Sequence, residues 1–110
     1  MDISVQEIKR VPVVAVKGRV DSATAPELEE ALKRLVESGK TQIVLDLKEV
    51  GYVSTAGLRT MVSTLKALKQ HNGDLRLCSL APQVTDAFRL AGMIPVFRVY
   101  QSQVEAVGSF

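Results

Sequence analysis

Tryptophan is missing from these 110 residues, histidine and cysteine occur once each, and aromatic residues make up only 5%. Each scarcity closes a route to function. One Cys and one His give no recognisable metal-ligand spacing. The single histidine, His71, sits in "QHNG", where it reads as a solvated cation at a helix C-terminus. No Ser-His-Asp arrangement can be drawn without it, so an enzyme is not expected. The single cysteine, Cys78, lies inside the apolar run "LRLCSL" and reads as an inert, buried strand residue. No disulfide can form within one chain. The glycine of "VKGRVDSATA" stands near a turn but without the glycine series of a phosphate-binding loop, and no cofactor is expected.

Charge is equally sparing. Fourteen Lys and Arg against twelve Asp and Glu leave +2, with the basic residues spread along the chain. Nucleic-acid binding calls for a basic stripe with stacking aromatics, and neither is present. No apolar run approaches the roughly 20 residues needed to cross a bilayer, and "MDISVQEIKR" has neither the basic nor the apolar region of a signal peptide. The expectation is a cytosolic (cytoplasmic) protein without direct membrane insertion, although a partner could hold it at the inner face of a membrane.

What is present is an ordinary globular balance, 46% hydrophobic and 24% charged. A chain of this length can bury a core without disulfides or metal, and one domain over residues 1–110 is expected. "ISVQEIKRVPVVAVKGRV" reads as two paired strands, with Pro12 at a strand start or an edge. In "DSATAPELEEALKRLVESGK", Thr24 and Glu27 have capping-box spacing and Pro26 falls in the first turn. Leu28, Ala31, Leu32, Leu35 and Val36 follow at helical spacing until Gly39 stops the helix. "TQIVLDL" is a strand with almost no polar alternation, expected to be covered on both faces. A short turn should then lead into a helix with the apolar stripe Leu58, Met61, Val62, Leu65 and Leu68, ended by Asn72 and Gly73. "DLRLCSL" is a strand. "APQVTDAFRLAGM" is a helix with Val84, Ala87, Phe88 and Ala91 towards the core and Gly92 at its C-terminus. "IPVFRVY" reads as a short strand, and "SQVEAVGSF" as a fraying helical turn. The predicted order is β-β-α-β-α-β-α-β-α. Strands alternating with single helices imply a mixed, mostly parallel α/β sheet packed by helices, with an antiparallel opening hairpin.

One stretch offers more than packing. The helix after "VLDLKEVGYV" opens on two adjacent hydroxyls, Ser54 and Thr55, followed by the small residues Ala56 and Gly57. A cap needs one hydroxyl, whose oxygen satisfies an orphan amide of the first turn for about 1 kcal/mol. The second is spare, and the small residues are expected to leave the site open to a partner. A phosphate there would meet backbone amides and the positive end of the helix dipole, changing surface charge by nearly two units without unfolding the domain.

"LDLKEVGYVSTAGLRTMVSTLKALKQHNGDLRLCSLAPQVTDAFRLAGM", with the upstream "VKGRVDSATAPEL", resembles the STAS domains of bacterial anti-sigma factor antagonists over nearly the whole chain. In that family the turn commonly reads Asp-Ser-Ser-Gly-Leu or Asp-Ser-Ala-Gly-Leu. The first hydroxyl after the Asp is phosphorylated by a kinase that is also the anti-sigma factor. Aligned on Gly57 and Leu58, the acceptor falls on Thr55 and the family's Asp on Ser54. Thr keeps the hydroxyl. Loss of the acidic neighbour leaves Ser54 as a competing acceptor, or a domain that binds without being switched. The family's second landmark matches "GRVDSATA", which places Asp21 and Ser22 near Thr55. From the residues alone these two are loop positions leading to the Thr24 cap.

The resemblance thus implies a partner-binding surface of Asp21, Ser22, Ser54, Thr55, Ala56, Gly57 and Leu58. It implies no catalysis, an anti-sigma factor and protein kinase as the partner, and a phosphatase that resets the switch. The unphosphorylated antagonist binds the anti-sigma factor and frees the sigma factor, and phosphorylation ends that binding. A second class of function is a constitutive STAS interaction subunit, for example of a lipid-transport ABC complex, in which Thr also occurs at this turn.

Overall fold

The opening strands β1 (Asp2–Ile8) and β2 (Val11–Val20) form an antiparallel hairpin in which Ile8 pairs with Val11. Its two-residue loop, Lys9 and Arg10, has positive φ at both positions, 50° and 68°. That conformation matches the twist of the flanking strands even without the usual Asn-Gly. Pro12 is the second residue of β2 and faces Glu7 of β1, so it marks the start of a strand that is interior to the sheet.

A computed structural model describes residues 1–110. After β2 come α1 (Ala25–Glu37), β3 (Gln42–Val53), α2 (Thr55–Lys69), β4 (Asp74–Cys78), α3 (Pro82–Leu90), β5 (Val99–Tyr100) and α4 (Gln103–Gly108). The five strands lie in chain order across one sheet, and every pair after the hairpin is parallel. The expected mixed, mostly parallel α/β single domain is the fold observed.

Period-two alternation sorts the buried residues into two layers. On one face Val14 and Val16 of β2, Ile43, Leu45 and Leu47 of β3, and Leu75 and Leu77 of β4 pack beneath three helices. Those helices contribute Leu28 and Leu32 of α1, Leu58, Met61, Leu65 and Leu68 of α2, and Val84 and Phe88 of α3. Phe88 meets Phe97 edge-to-face, with centroids 5.8 Å apart. The opposite face holds Val11, Val13, Val44 and Cys78, and is covered by Ala106 and Val107 of α4. The central part of β3 is therefore buried on both sides, which accounts for its unbroken apolar run.

Five local expectations are corrected. Thr24 forms no capping box. It stands at the N-cap of α1 in helical conformation and makes no side-chain cap bond. Its hydroxyl instead donates to the Arg19 carbonyl at 2.7 Å and accepts from the Asp21 amide at 2.9 Å. The turn expected before α2 is a continuation of β3 to Val53. Only β2 flanks this extension, since pairing with β4 ends at Asp46 opposite Cys78. A strand with one neighbour is half solvated, so Lys48, Glu49 and Gly51 are tolerated there. Ala91 is exposed beyond the end of α3. "IPVFRVY" splits into a 3-10 turn, Ile94–Val96, with Pro95 as its second residue, and a strand of only Val99 and Tyr100. The last segment is an ordered helix, capped by Ser102, whose hydroxyl accepts from the Glu105 amide at 3.2 Å.

Candidate functional site

The extensions of β2 and β3 pair as far as Val20 and Val53, forming a two-stranded arm beyond the body of the sheet. Two connections leave its tip, Asp21–Thr24 into α1 and Ser54 into α2. They are joined directly, because the Ser54 amide donates to the Val20 carbonyl at 2.8 Å. The chain thereby brings together two segments more than thirty residues apart in sequence, both of them singled out as site candidates. This is also the carboxyl end of the parallel strands, where open α/β sheets gather their functional loops.

Ser54 is the N-cap of α2, in extended conformation, and its hydroxyl oxygen accepts from the Gly57 amide at 3.3 Å. Thr55 is the first residue of the helix and is exposed, whereas Ser54 is half-buried. The two hydroxyls have therefore separated their tasks: one holds the helix start and the other faces solvent. In the first turn of any helix the leading amides have no intrahelical acceptor, so an anion on Thr55 would sit beside unpaired donors at the positive end of the dipole.

Gly57 has a different part from the one its size suggests. It is buried, and a Cβ built on it would lie 2.6 Å from Val20 Cγ1, 3.1 Å from Val53 Cγ1 and 3.2 Å from the Val20 carbonyl oxygen. The glycine lets α2 start in contact with the arm. It fixes where Thr55 stands and leaves no opening for a partner, while half-buried Ala56 and Leu58, 9% exposed, frame the same turn.

Asp21 is occupied within its own loop. One carboxylate oxygen accepts from the Ala23 amide at 3.0 Å and the Thr24 amide at 3.1 Å, and the Arg19 guanidinium lies 3.6 Å from the other. The Thr24 backbone bond, joined by the Thr24 hydroxyl, the Ala23 amide and Arg19, holds the Asp21 carboxyl below its ordinary range against an opposing desolvation. Asp21 thus organises the loop that the sequence assigned to Thr24. Ser22 is exposed and makes no side-chain hydrogen bond. Arg19 also stacks over the exposed Tyr52 ring at 4.2 Å, across the paired ends of β2 and β3.

Beside Thr55, along the outer side of α2, runs a groove of about 560 Å³. Leu58, Val62, Ala91 and Met93 form its apolar surface, with Arg59 and Lys66 along it. Sequence reasoning missed this feature. The spacing Thr55, Arg59, Lys66 does show on one helix face, but the Ala91–Met93 wall comes from a segment about thirty residues away.

Comparisons with known proteins place these observations. A family model described as "STAS domain" matches residues 2–106. BtrV of Bordetella bronchiseptica, a protein provisionally designated an anti-sigma factor antagonist, is 36% identical over 110 residues, covering all of this chain and 95% of its own. An anti-sigma-B factor antagonist of Staphylococcus aureus is 34% identical over 86 residues, 78% of this chain and 80% of the relative. Among solved structures, an anti-sigma factor antagonist from Mycobacterium paratuberculosis superposes with a TM-score of 0.89 at 27% identity, covering 98% of this chain and 92% of that one.

Proposed function

This chain belongs to the STAS domain family, and on that premise we propose that it is an anti-sigma factor antagonist whose binding is switched at Thr55. Unmodified, it binds an anti-sigma factor that is also a protein kinase, and the sigma factor is released. The kinase transfers the γ-phosphoryl group of ATP to Thr55 Oγ1, leaving ADP, and the complex separates. A phosphatase restores the antagonist.

The observation that carries the proposal is the position of Thr55. It is exposed at the start of α2 and free of the capping task that Ser54 performs, and alignment on Gly57 and Leu58 matches it to the hydroxyl that the family resemblance implies as acceptor. A phosphate there adds nearly two negative charges at the centre of a contact surface, where desolvation and like-charge repulsion oppose binding. The fold tolerates the same charge because of the amides and dipole at the helix start. Asp21 and Ser22 complete the surface, Ser22 as a free hydroxyl and Asp21 through the loop it holds.

Mass spectrometry after incubation with the cognate kinase and ATP tests the proposal. One phosphate should appear on Thr55, and Thr55→Ala should abolish it. Phosphate on Ser54 in the unaltered protein would refute the division of labour between the hydroxyls. Kinase binding with no phosphate transferred would identify a constitutive interaction module.

A further inference from the structure

Two cations on the exposed side of α2, Arg59 and Lys66, have no carboxylate partner. The nearby charges are spoken for or lie elsewhere. Lys69 pairs with Asp74 at 3.5 Å, and Asp86 and Arg89 of α3 pair with each other at 2.9 Å. Glu29 and Lys33 of α1 lie on the adjoining side of α2, near Ser63, Thr64 and Ala67, and of these residues only Ser63 also lines the groove. From Thr55 to Lys69 the helix contains no acidic residue at all. The groove beside it therefore combines an apolar surface, Leu58, Val62, Ala91 and Met93, with two positive charges and no negative one.

We propose that this groove seats an acidic amphipathic helix of the protein partner. The chemistry is complementary on both counts. Apolar side chains on one stripe of such a helix would cover Leu58, Val62 and Met93, in the manner of helix-in-groove recognition. Flanking carboxylates would meet Arg59 and Lys66. These cations are seven residues apart, about 10 Å along the helix axis, so two carboxylates seven residues apart on a roughly aligned partner helix match them. A flat lipid surface would not fill a trough walled by α2 on one side and the Ala91–Met93 turn on the other. No aromatic ring lines it to stack a base.

The groove ends at Thr55, one helical turn before Arg59. Residues four apart on a helix are neighbours, so a phosphate on Thr55 would compete for Arg59 with the partner's carboxylates. The modification would thereby remove a docking cation as well as add repulsion. This inference rests on the antagonist proposal only for the identity of the partner.

The test uses the full chain, isotope-labelled for NMR, and a synthetic peptide of about four helical turns with leucines on one stripe and glutamates seven residues apart beside it. A second peptide carries lysine in place of glutamate, and vesicles of phosphatidylglycerol form a third arm. The glutamate peptide should shift the amides of Leu58, Val62 and Met93 and bind at least tenfold more tightly than the lysine peptide. R59E combined with K66E should reverse that preference. Both positions are exposed and make no side-chain hydrogen bond, and a melting curve verifies folding. Equal binding of the two peptides, or shifts away from the groove, overturns the proposal. Vesicle binding through these residues without peptide binding overturns it in favour of a lipid surface. In a fourth arm, the purified anti-sigma kinase should bind the double variant at least tenfold more weakly. If the kinase binds wild type and double variant alike, the groove proposal falls and the antagonist reading stands. If it binds neither, the antagonist reading falls and the peptide arms still judge the groove.

Discussion

Gly57→Ala adds one methyl group where the start of α2 touches the β2–β3 arm, 2.6 Å from Val20 Cγ1. Carbon atoms at rest stand about 3.5–4.0 Å apart, so helix and arm must separate by about 1 Å or Val20 must turn. Val20 is completely buried and β-branched, with a stiff χ1. The third contact, the Val20 carbonyl at 3.2 Å, is backbone and cannot rotate away. Overpacking of this kind costs about 1–3 kcal/mol. Replacing glycine by alanine in a helix returns at most about 1 kcal/mol, so a net loss of up to about 2 kcal/mol is expected. Val20→Ala alone should cost roughly 2–3 kcal/mol, from two lost methyl groups and the space they leave. Combined, the new methyl occupies that space, and the double variant should be at least ~1 kcal/mol more stable than the sum of the single losses predicts. Urea denaturation of the four proteins measures the cycle. Additivity within about 0.5 kcal/mol, or a Gly57→Ala variant more stable than wild type, would refute the view that Gly57 sets the position of Thr55.

Leu65→Ala should cost about 2–5 kcal/mol in the same assay, because Leu65 is 6% exposed within the main core; a loss below about 1 kcal/mol would place it on the surface. The Cys78 thiol is pushed up to about 11, chiefly by burial. At pH 8 it should therefore react with Ellman's reagent much more slowly in the native protein than in denaturant. The sign of its pH effect follows: the folded thiol holds its proton more tightly than the unfolded one, so its contribution is full below about pH 9 and declines as pH rises towards 11. Equal reactivity in both states would contradict the buried thiol.

Much of this was legible in the sequence for a physical reason. Helices that bury one stripe must repeat their apolar residues at helical spacing, and Leu28 with Leu32, Leu58 with Met61, Leu65 and Leu68, and Val84 with Phe88 did so and are buried. Gly39 and Gly92 have positive φ just past the ends of their helices, as stop signals should. What failed was where local pattern yields to context. Thr24 and Glu27 have the spacing of a capping box, but Asp21 is close enough to take the Thr24 and Ala23 amides first. Residues 48–53 look like a turn because a strand with a single neighbour need not be apolar. Ser54 and Thr55 were both legible as candidates, and only burial and the 3.3 Å bond to Gly57 distinguish their tasks. The groove was hidden because its second wall, Ala91 to Met93, is brought to α2 by the fold.

The proposed switch requires an unmodified Thr55 at the heart of the anti-sigma factor contact. Calorimetric titration of the purified kinase with wild type, Thr55→Glu and Lys69→Ala, each checked by a melting curve, tests it most directly. Thr55→Glu should bind at least tenfold more weakly, a loss of about 1.4 kcal/mol, and melt like wild type, since a carboxylate at a helix start is tolerated. Lys69→Ala, at the far end of α2, gives up one of the two ion pairs of the buried Asp74, which keeps Arg76 at 3.0 Å, and should bind like wild type. A folded Thr55→Glu variant that binds the kinase as tightly as wild type would contradict the account and reduce the helix start to a cap.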